Sequence, residues 1–167
     1  KLRGIVLTHG HEDHIGGLPF LLSKVNVPIY GTPLTLGLVG NKLKEHSLYN
    51  KTQLNVVNAG DTIKLGCMSV KFIHVNHSIP DAVAFAIKTP AGTIVHTGDF
   101  KIDCTPITGD MIDLSSIAKV GDDGVLALLA ESTNANRSGY TPTERMVSDS
   151  LDSLFRSAEN YRIIIAT

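Results

Sequence analysis

The chain has 167 residues, of which 43% are hydrophobic and 19% are charged, and its formal net charge is −1. This length and composition are ordinary for one soluble globular domain. The balanced charge offers no electrostatic argument for a nucleic-acid partner, which usually shows as a basic excess or a basic patch. Because no apolar run reaches the roughly 18 residues of a transmembrane helix, we expect no membrane partner.

The predicted elements begin with a buried strand over residues 3–8, which leads into a polar loop rich in histidine. A helix is predicted over residues 18–25, and a short strand over 27–30 follows it. A second helix is predicted from Thr32 to about His46, and the hydroxyl of Thr32 can cap it. This first part of the chain therefore reads as strand–helix–strand units.

The middle of the chain is predicted to be rich in β-structure. Alternating apolar residues and turn residues indicate strands over 53–57, 62–65, 68–75, 83–88 and 93–97. After them we predict a helix near 114–119, a strand over 125–130, a helix near 143–158 and a last strand over 161–167. The sequence thus predicts an α/β fold with mostly antiparallel hairpins in the middle and strand–helix–strand units at both ends.

The two cysteines bear on the cellular compartment of the protein. Cys67 and Cys104 form no C-x-x-C pair, so they predict neither a disulfide framework nor a thiolate zinc site. We expect two reduced thiols in a cytoplasmic protein.

The predicted core strands 3–8 and 161–167 stand at the two ends of the sequence, whereas termini normally lie at the surface. We therefore expect a segment of a longer protein.

The strongest chemical feature is the run HGHEDH, in which four potential metal ligands fall within six residues: His9, His11, Asp13 and His14. Imidazole and carboxylate groups together suit zinc or a similar transition metal. On extended backbone His9 and His11 point the same way, whereas Asp13 and His14 follow a turn and can face a second ion. One short loop can thus supply two neighbouring metals. The alternative is a polar surface loop that is rich in histidine by chance.

Two further candidate ligands follow predicted strands. His77 comes after the strand that ends at Val75, and Asp99 comes after the strand that ends at Thr97. A carboxylate just beyond a buried strand can bridge two cations, which lie about 3.5–4 Å apart in two-metal sites. By itself such a histidine is usually structural and a Gly-Asp pair is usually a turn, so both expectations depend on the first motif. His96, within a strand, is expected to pack in the core or to orient a ligand.

The pattern His9-x-His11-x-Asp13-His14 is the signature of the metallo-β-lactamase superfamily. Stretches in the right order also resemble the ribonuclease J family of its β-CASP group, at residues 7–19, 77–82, 96–101 and 132–135. The resemblance covers nearly the whole chain, and ordered motifs are far more specific than the first one alone. It implies a metallo-β-lactamase fold, an αββα sandwich, of which residues 1–167 would be an incomplete part.

The resemblance implies two zinc ions, or other divalent metals, held by these side chains: His9, His11 and His77 on one ion, Asp13 and His14 on the other, and Asp99 bridging both. Asp13 would also orient the attacking water or accept its proton. Glu131 matches the acid of the first β-CASP motif, which orients a histidine that assists the leaving group, although the family more often has Asp there. Further candidates near the ligands or the substrate are His96, Ser132, Thr133 and Asn134.

The resemblance also implies a metal-dependent ribonuclease that cuts RNA phosphodiester bonds internally and from the 5′ end, in RNA maturation, rRNA processing and decay. The β-CASP insertion, with the pocket for the 5′ phosphate and the last metal-binding histidine, is expected after residue 167. A region through which the full-length protein forms homo-oligomers is expected there too. The segment alone should therefore bind metal poorly and show little or no activity.

Alternatives of other classes stay open at this point. A related hydrolase on the same fold can act on a thioester, a lactone or a lactam, and the missing basic patch favours it. Some β-CASP enzymes cut DNA instead of RNA. A non-catalytic RNA-binding or scaffold paralogue would be expected to have lost ligands, whereas every candidate position is intact in this sequence.

Overall fold

The computed structural model describes residues 2–166. Its first sheet is parallel and consists of β1 (Ile5–Val6), β2 (Ile29–Gly31) and β3 (Leu54–Val56), in that spatial order. The connections contain α1 (Glu12–Ile15), α2 (Leu18–Leu22), α3 (Pro33–Glu45) and a 3₁₀ turn at Tyr49–Lys51. Parallel neighbours need crossover connections of this kind, which explains the predicted strand–helix–strand units.

The second sheet is mostly antiparallel. Its strands lie in the order β4 (Thr62–Leu65), β5 (Met68–His74), β6 (Val83–Thr89), β7 (Gly92–His96) and β8 (Ala127–Leu129). The strands from β4 to β7 form antiparallel hairpins, and β8 pairs parallel to β7 after helix α4 (Leu114–Asp122). Helix α5 (Glu144–Ser157) follows β8. The antiparallel hairpins predicted for the middle of the chain are confirmed.

Apolar side chains alternate along the strands, so the sheets are covered on both faces. On β5, Val70 and Phe72 face the first sheet and pack with Val6 of β1. Ile73 and Val75 point to the opposite face, in a cluster that includes apolar residues of α4. A third cluster buries α2 and α3 against the first sheet. The layers are therefore helix, sheet, sheet and helix, which confirms the predicted αββα sandwich.

Helix α3 is capped by a distant loop. Pro33 occupies its first turn, where the missing N–H costs nothing. Thr32 is the N-cap residue, as predicted, but its hydroxyl does not cap the helix: it donates to the carbonyl of Asp81 at 2.8 Å. The carboxylate of Asp81 accepts instead from the amide of Leu34 at 3.1 Å. The loop after β5 is thereby fastened to the start of α3.

Two further expectations about secondary structure are wrong. Residues 12–15 of the histidine-rich loop form α1, a single turn that is too short to show a hydrophobic period. The last strand, predicted over 161–167, is not formed: residues 162–166 are exposed and without regular structure, and Thr167 lies outside the described residues. Within residues 2–166 no strand lies alongside them, so their backbone groups have no ladder to join.

Two observations bear on the expectations from composition. Across residues 2–166, the helices are all too short or too polar to cross a bilayer. Cys67 and Cys104 are both free and exposed.

Candidate metal centre

The candidate site lies where strands of both sheets end. β5 and β7 run in the same direction because each is antiparallel to β6. Their carboxyl ends therefore meet at one edge of the second sheet, and the segments that follow them carry His77 and Asp99. The end of β1 reaches the same edge, since the amide of Val83 donates to the carbonyl of Thr8 at 2.9 Å. This contact brings residues 9–14 next to the other two segments.

Imidazole rings from these segments pack around one another. The ring of His9 lies 4.9 Å from that of His11, 4.1 Å from that of His14 and 4.8 Å from that of His77, measured between centroids. Nδ1 of His11 is 3.1 Å from Nε2 of His77. The backbone of His11 is extended, with ψ of 151°, and His11 shares a donor group with His9.

Asp99 places one carboxylate oxygen among three of these rings. Its Oδ2 lies 3.4 Å from Nε2 of His14, 3.7 Å from Nε2 of His77 and 3.9 Å from Nε2 of His9. Two groups of donor atoms result, and within each the atoms lie within 4.8 Å of one another: His9, His11 and His77 in one, His9, His14 and Asp99 in the other. A carboxylate that bridges two cations would lie in such a place.

His9 provides a test of whether these residues suit a metal. Its ring is completely buried, and its Nε2 has no hydrogen-bond partner in the part of the chain that the structure describes. A buried polar atom without a partner costs free energy, and a metal ion would remove that cost. Because the donors around it are imidazoles and a carboxylate, the site fits a transition metal.

The protonation of the buried rings agrees with this fit. Burial, followed by the nearby rings of His14 and His77, lowers the pKa of His9 to about 4. Burial and then His11 also lower the pKa of His77. Both rings are therefore neutral at neutral pH, and neutral imidazole is the form that binds metal.

Asp13 lies at the open side of the cluster. Its side chain is 80% exposed, and its Oδ2 is 3.6 Å from Nε2 of His14. It belongs to neither of the two donor groups, although α1 carries it beside one of their members. Glu12 turns away to the surface, where its Oε1 accepts from Nζ of Lys42 at 2.7 Å. The helical turn of α1 thus separates two neighbouring carboxylates, of which one faces the site.

The turn after β7 presents Asp99 and is tightly held. Gly98 has φ of +58°, and a Cβ at this position would lie 2.9 Å from Cβ of Thr8. The amide of Gly98 donates to Nδ1 of His96 at 3.0 Å. His96 is exposed rather than packed in the core. Its ring contacts the turn, so any effect on Asp99 would pass through the backbone of Gly98.

Glu131 comes just after β8, at the same edge of the sheet. Its amide donates to the hydroxyl of Thr97 at 3.2 Å, and its carboxylate accepts from the amide of Thr133 at 2.8 Å. Burial would raise the pKa of Glu131, but hydrogen bonds from Thr133 and from the backbone of Phe100 outweigh it, and the pKa is lowered. An ionised carboxylate is therefore held close to the segment that carries Asp99.

Other residues of interest lie around this centre without joining it. Ser132, Thr133 and Asn134 form an exposed turn after Glu131, with Asn134 at φ of +61°. His46 and His74 lie elsewhere. The ring of His46 packs on that of Phe20, with 5.7 Å between centroids, and Nε2 of His74 lies 3.0 Å from the backbone carbonyl oxygen of Asp110.

Sequence reasoning missed Thr8, although it precedes the first histidine. Thr8 is buried, with 7% of its surface exposed, and its Oγ1 lies 3.1 Å from Nδ1 of His9. A threonine at the end of a strand is ordinary, so nothing local marked it. Its contact with Gly98 depends on the tertiary fold.

A second missed network joins the segment after β7 to α5. Nζ of Lys101 lies 2.5 Å from Oε1 of Glu144. Asp103 is buried, and its carboxylate accepts from the amides of Glu144 and Thr105, both at 2.8 Å. These hydrogen bonds, that of Glu144 first, lower the pKa of Asp103. A β-bridge between Lys101 and Asn76 ties the same segment to the loop after β5.

A sequence profile of the metallo-beta-lactamase superfamily matches residues 1–138, a stretch that includes every candidate ligand. The chain belongs to the metallo-β-lactamase superfamily. Membership of this superfamily and the two donor groups are together consistent with metal binding.

This metallo-β-lactamase chain is similar to ribonucleases J along its whole length. It is 46% identical to ribonuclease J of Helicobacter pylori over 168 residues, which cover 100% of this chain and 24% of that protein. It is 46% identical to ribonuclease J2 of Bacillus subtilis over 166 residues, which cover 99% of this chain and 30% of that protein. The predicted resemblance is confirmed, and the chain spans less than a third of either relative.

A solved structure shares the fold of this chain. The crystal structure of a protein of unknown function from Enterococcus faecalis V583 aligns with a TM-score of 0.66 over 93% of this chain and 39% of that one. The two sequences are 22% identical in this alignment. The likeness therefore concerns the fold.

Proposed function

We propose that this chain is the catalytic N-terminal part of a metal-dependent ribonuclease that hydrolyses phosphodiester bonds of RNA, internally and from the 5′ end. The observation that carries the proposal is that two donor groups share His9 and that one of them includes Asp99. Whole-chain identity of 46% to proteins named ribonuclease J supports RNA as the substrate class.

The proposed cofactor is a pair of zinc ions. His9, His11 and His77 would hold one of them, His14 and Asp13 would hold the other, and Asp99 would lie between the two. The mixture of imidazole and carboxylate donors suits zinc, and the orphaned Nε2 of His9 supports a ligand at this point. When bound, such ions make water acidic enough to attack near neutral pH and stabilise negative charge on phosphoryl oxygens.

Two carboxylates are proposed as catalytic groups. The exposed carboxylate of Asp13, beside His14, would orient the attacking water or accept its proton. Glu131 would hold a histidine from a downstream region that protonates the departing oxygen. Its lowered pKa supports this, because an ionised carboxylate can accept a hydrogen bond from the ring.

The remaining parts of the proposal rest on the relatives, of whose length this chain covers 24–30%. We propose that the full-length protein adds a β-CASP domain with the last metal ligand and a pocket for the 5′ phosphate. It would act in the cytoplasm as a homo-oligomer, in RNA maturation and decay. The isolated segment would then have little activity.

The test uses the full-length protein with zinc and RNA that carries a 5′ monophosphate or a 5′ triphosphate. We expect cleavage of RNA, and we expect Asp13→Asn to lower the rate at least about 100-fold, since it removes a general base and a ligand. Glu12→Gln is the matched control, because Glu12 bonds Lys42 at the surface, and it should keep near-normal turnover.

The same assay separates the alternatives. Single-stranded DNA, a thioester and a lactone are offered under identical conditions. Hydrolysis of one of these with RNA left intact would contradict the ribonuclease proposal, and equal turnover by Asp13→Asn and Glu12→Gln would remove Asp13 from the mechanism.

A further inference from the structure

Thr8 is buried between two parts of the metal centre and has been given no role so far. On one side its Oγ1 lies 3.1 Å from Nδ1 of His9. On the other side it is the nearest neighbour of Gly98, since a Cβ built there would be 2.9 Å from Cβ and 3.0 Å from Cγ2 of Thr8. One side chain therefore touches His9, which the two donor groups share, and the turn that leads to Asp99, which belongs to one of them.

The hydrogen bond between Thr8 and His9 can run in either direction, and the direction decides what His9 offers. A neutral imidazole has one N–H and one lone pair on its two nitrogens. If the hydroxyl donated to Nδ1, the proton would sit on Nε2, which is buried and has no acceptor within hydrogen-bond distance in the described chain; the carboxylate oxygen of Asp99 is 3.9 Å away. If Nδ1–H donates to the hydroxyl oxygen, Nε2 keeps its lone pair free and faces Asp99 and the other rings.

We propose that Thr8 is a positioning residue: its hydroxyl accepts a hydrogen bond from Nδ1–H of His9 and so holds the tautomer whose Nε2 lone pair is available to a metal ion. This inference rests on the metal centre of the proposed function and adds a residue to it. Ligating histidines commonly depend on a partner at the other nitrogen, and loss of such a partner typically costs 10–100-fold in metal affinity.

The methyl group of Thr8 has a separate task. It packs against Gly98, whose backbone at φ of +58° leads directly into Asp99. The hydroxyl and the methyl can therefore be removed one at a time. Thr8→Val keeps the shape and loses the hydroxyl, whereas Thr8→Ser keeps the hydroxyl and loses the methyl.

The experiment makes two measurements on the full-length protein. In the metal-free state, with ¹⁵N in the histidine rings, NMR distinguishes Nδ1–H from Nε2–H tautomers, and a His9→Gln variant assigns the signal of His9. In the second measurement, zinc affinity is determined by competition with a chromophoric chelator. Neither readout involves RNA, so failure of the ribonuclease proposal would not be confused with failure of this one.

We expect the wild type and Thr8→Ser to show the Nδ1–H tautomer at His9, with zinc affinities within about threefold of each other. Thr8→Val should populate the Nε2–H tautomer and bind zinc at least about tenfold more weakly. Thr52→Val makes the same chemical change at another buried threonine and should change neither quantity. Thr52 precedes β3, whereas the site follows β1, and the two strands run in the same direction, so they lie at opposite edges of the sheet.

Equal tautomers and equal zinc affinity in the wild type and Thr8→Val would overturn the inference. If Thr8→Val does not fold, the pair Thr8→Ser and Thr8→Ala provides the same comparison, because these two differ only in the hydroxyl. If both members of that pair bound zinc more weakly than the wild type and to the same extent, the lost affinity would be due to the methyl group. That result would also overturn the inference.

Discussion

His9 belongs to both donor groups, and its surroundings show how the fold prepares a ligand before any metal arrives. Burial lowers its pKa to about 4, so protons do not compete for Nε2 near neutrality. The stability of the fold therefore depends on pH. As the pH falls below the ordinary histidine pKa of about 6.5, the ring of His9 takes up a proton in the unfolded chain but not in the folded chain.

The sign of this effect leads to a prediction for the metal-free protein. The pKa of His9 is depressed on folding, so its contribution is complete above about pH 6.5 and is lost as the pH falls towards 4. His77 shifts in the same direction. We expect Tm to fall by about 5 °C between pH 7 and pH 5, as measured by circular dichroism. In His9→Gln, which cannot titrate, the fall should be clearly smaller; an unchanged fall would contradict the assignment to His9.

Gly98 supports a second prediction about a single residue. An alanine there would need φ near +58° and would place its Cβ 2.9 Å from Cβ of Thr8. We expect Gly98→Ala to destabilise the protein by about 2–3 kcal/mol in chemical denaturation. Gly109→Ala is the control: its φ is +76°, but nothing lies within 4 Å of the added Cβ, so it should cost only about 1 kcal/mol. Equal losses of stability in the two variants would show that the contact with Thr8 does not add to the destabilisation by Gly98→Ala.

Among the elements, α5 is attached to the sandwich in an unusual way. None of its residues is buried, and it is held at its first turn through Asp103 and the ion pair of Lys101 with Glu144. A helix fastened at one end frays from the other, so its amides should exchange with solvent faster than those of α3, which has a buried face.

Removing the fastening should therefore loosen α5 and leave the sandwich intact. We expect Asp103→Ala to speed hydrogen exchange of residues 144–150 about tenfold or more, because Glu144 loses the partner of its amide. Exchange in α3 should be unchanged. Asp152→Ala removes a carboxylate from an exposed pair within α5 and should have little effect. Mass spectrometry of peptides resolves the difference, and equal exchange in both variants would contradict the role of Asp103.

Elements of the fold differ in how well the sequence predicts them. The hairpins from β4 to β7 could be predicted because turn residues separate runs that alternate in polarity. Helix α1 could not, since residues 12–15 span one turn. The strand expected at 161–167 fails for another reason: its apolar run is real, but a strand needs a neighbour, and none lies alongside residues 162–166 in the described chain.

The candidate site was predictable in part for similar reasons. His9, His11, Asp13 and His14 stand close together in sequence, so their type and spacing indicate metal chemistry directly. His77 and Asp99 follow strands whose ends share one edge of the sheet. The role inferred for Thr8 and the contact of His96 with Gly98 depend on distances that only the folded chain defines.

At the scale of the whole molecule, apolar surface is concentrated on one part of the chain. Leu128 of β8 is 64% exposed and Leu154 of α5 is 61% exposed, and Ile164 reaches 85%. Exposed apolar patches and unpaired strand edges favour association with another surface. The 167-residue chain is therefore expected to self-associate at micromolar concentrations.

This expectation can be tested with neighbouring substitutions on α5. Leu154→Lys removes exposed apolar surface, and Ser153→Lys adds the same charge one residue earlier without removing any. We expect sedimentation velocity to show a larger monomer fraction for Leu154→Lys than for either the wild type or Ser153→Lys. The same fraction in both variants would mean that charge, and not the apolar face, controls the association.

The candidate ligands come from both sheets: the segment after β1 belongs to the first, and the segments after β5 and β7 belong to the second. Neither sheet alone carries a complete donor set. Any cation that these donors hold would therefore bind only after the two layers have docked during folding. Loading with metal would then report, on each molecule, that assembly of the sandwich has been completed.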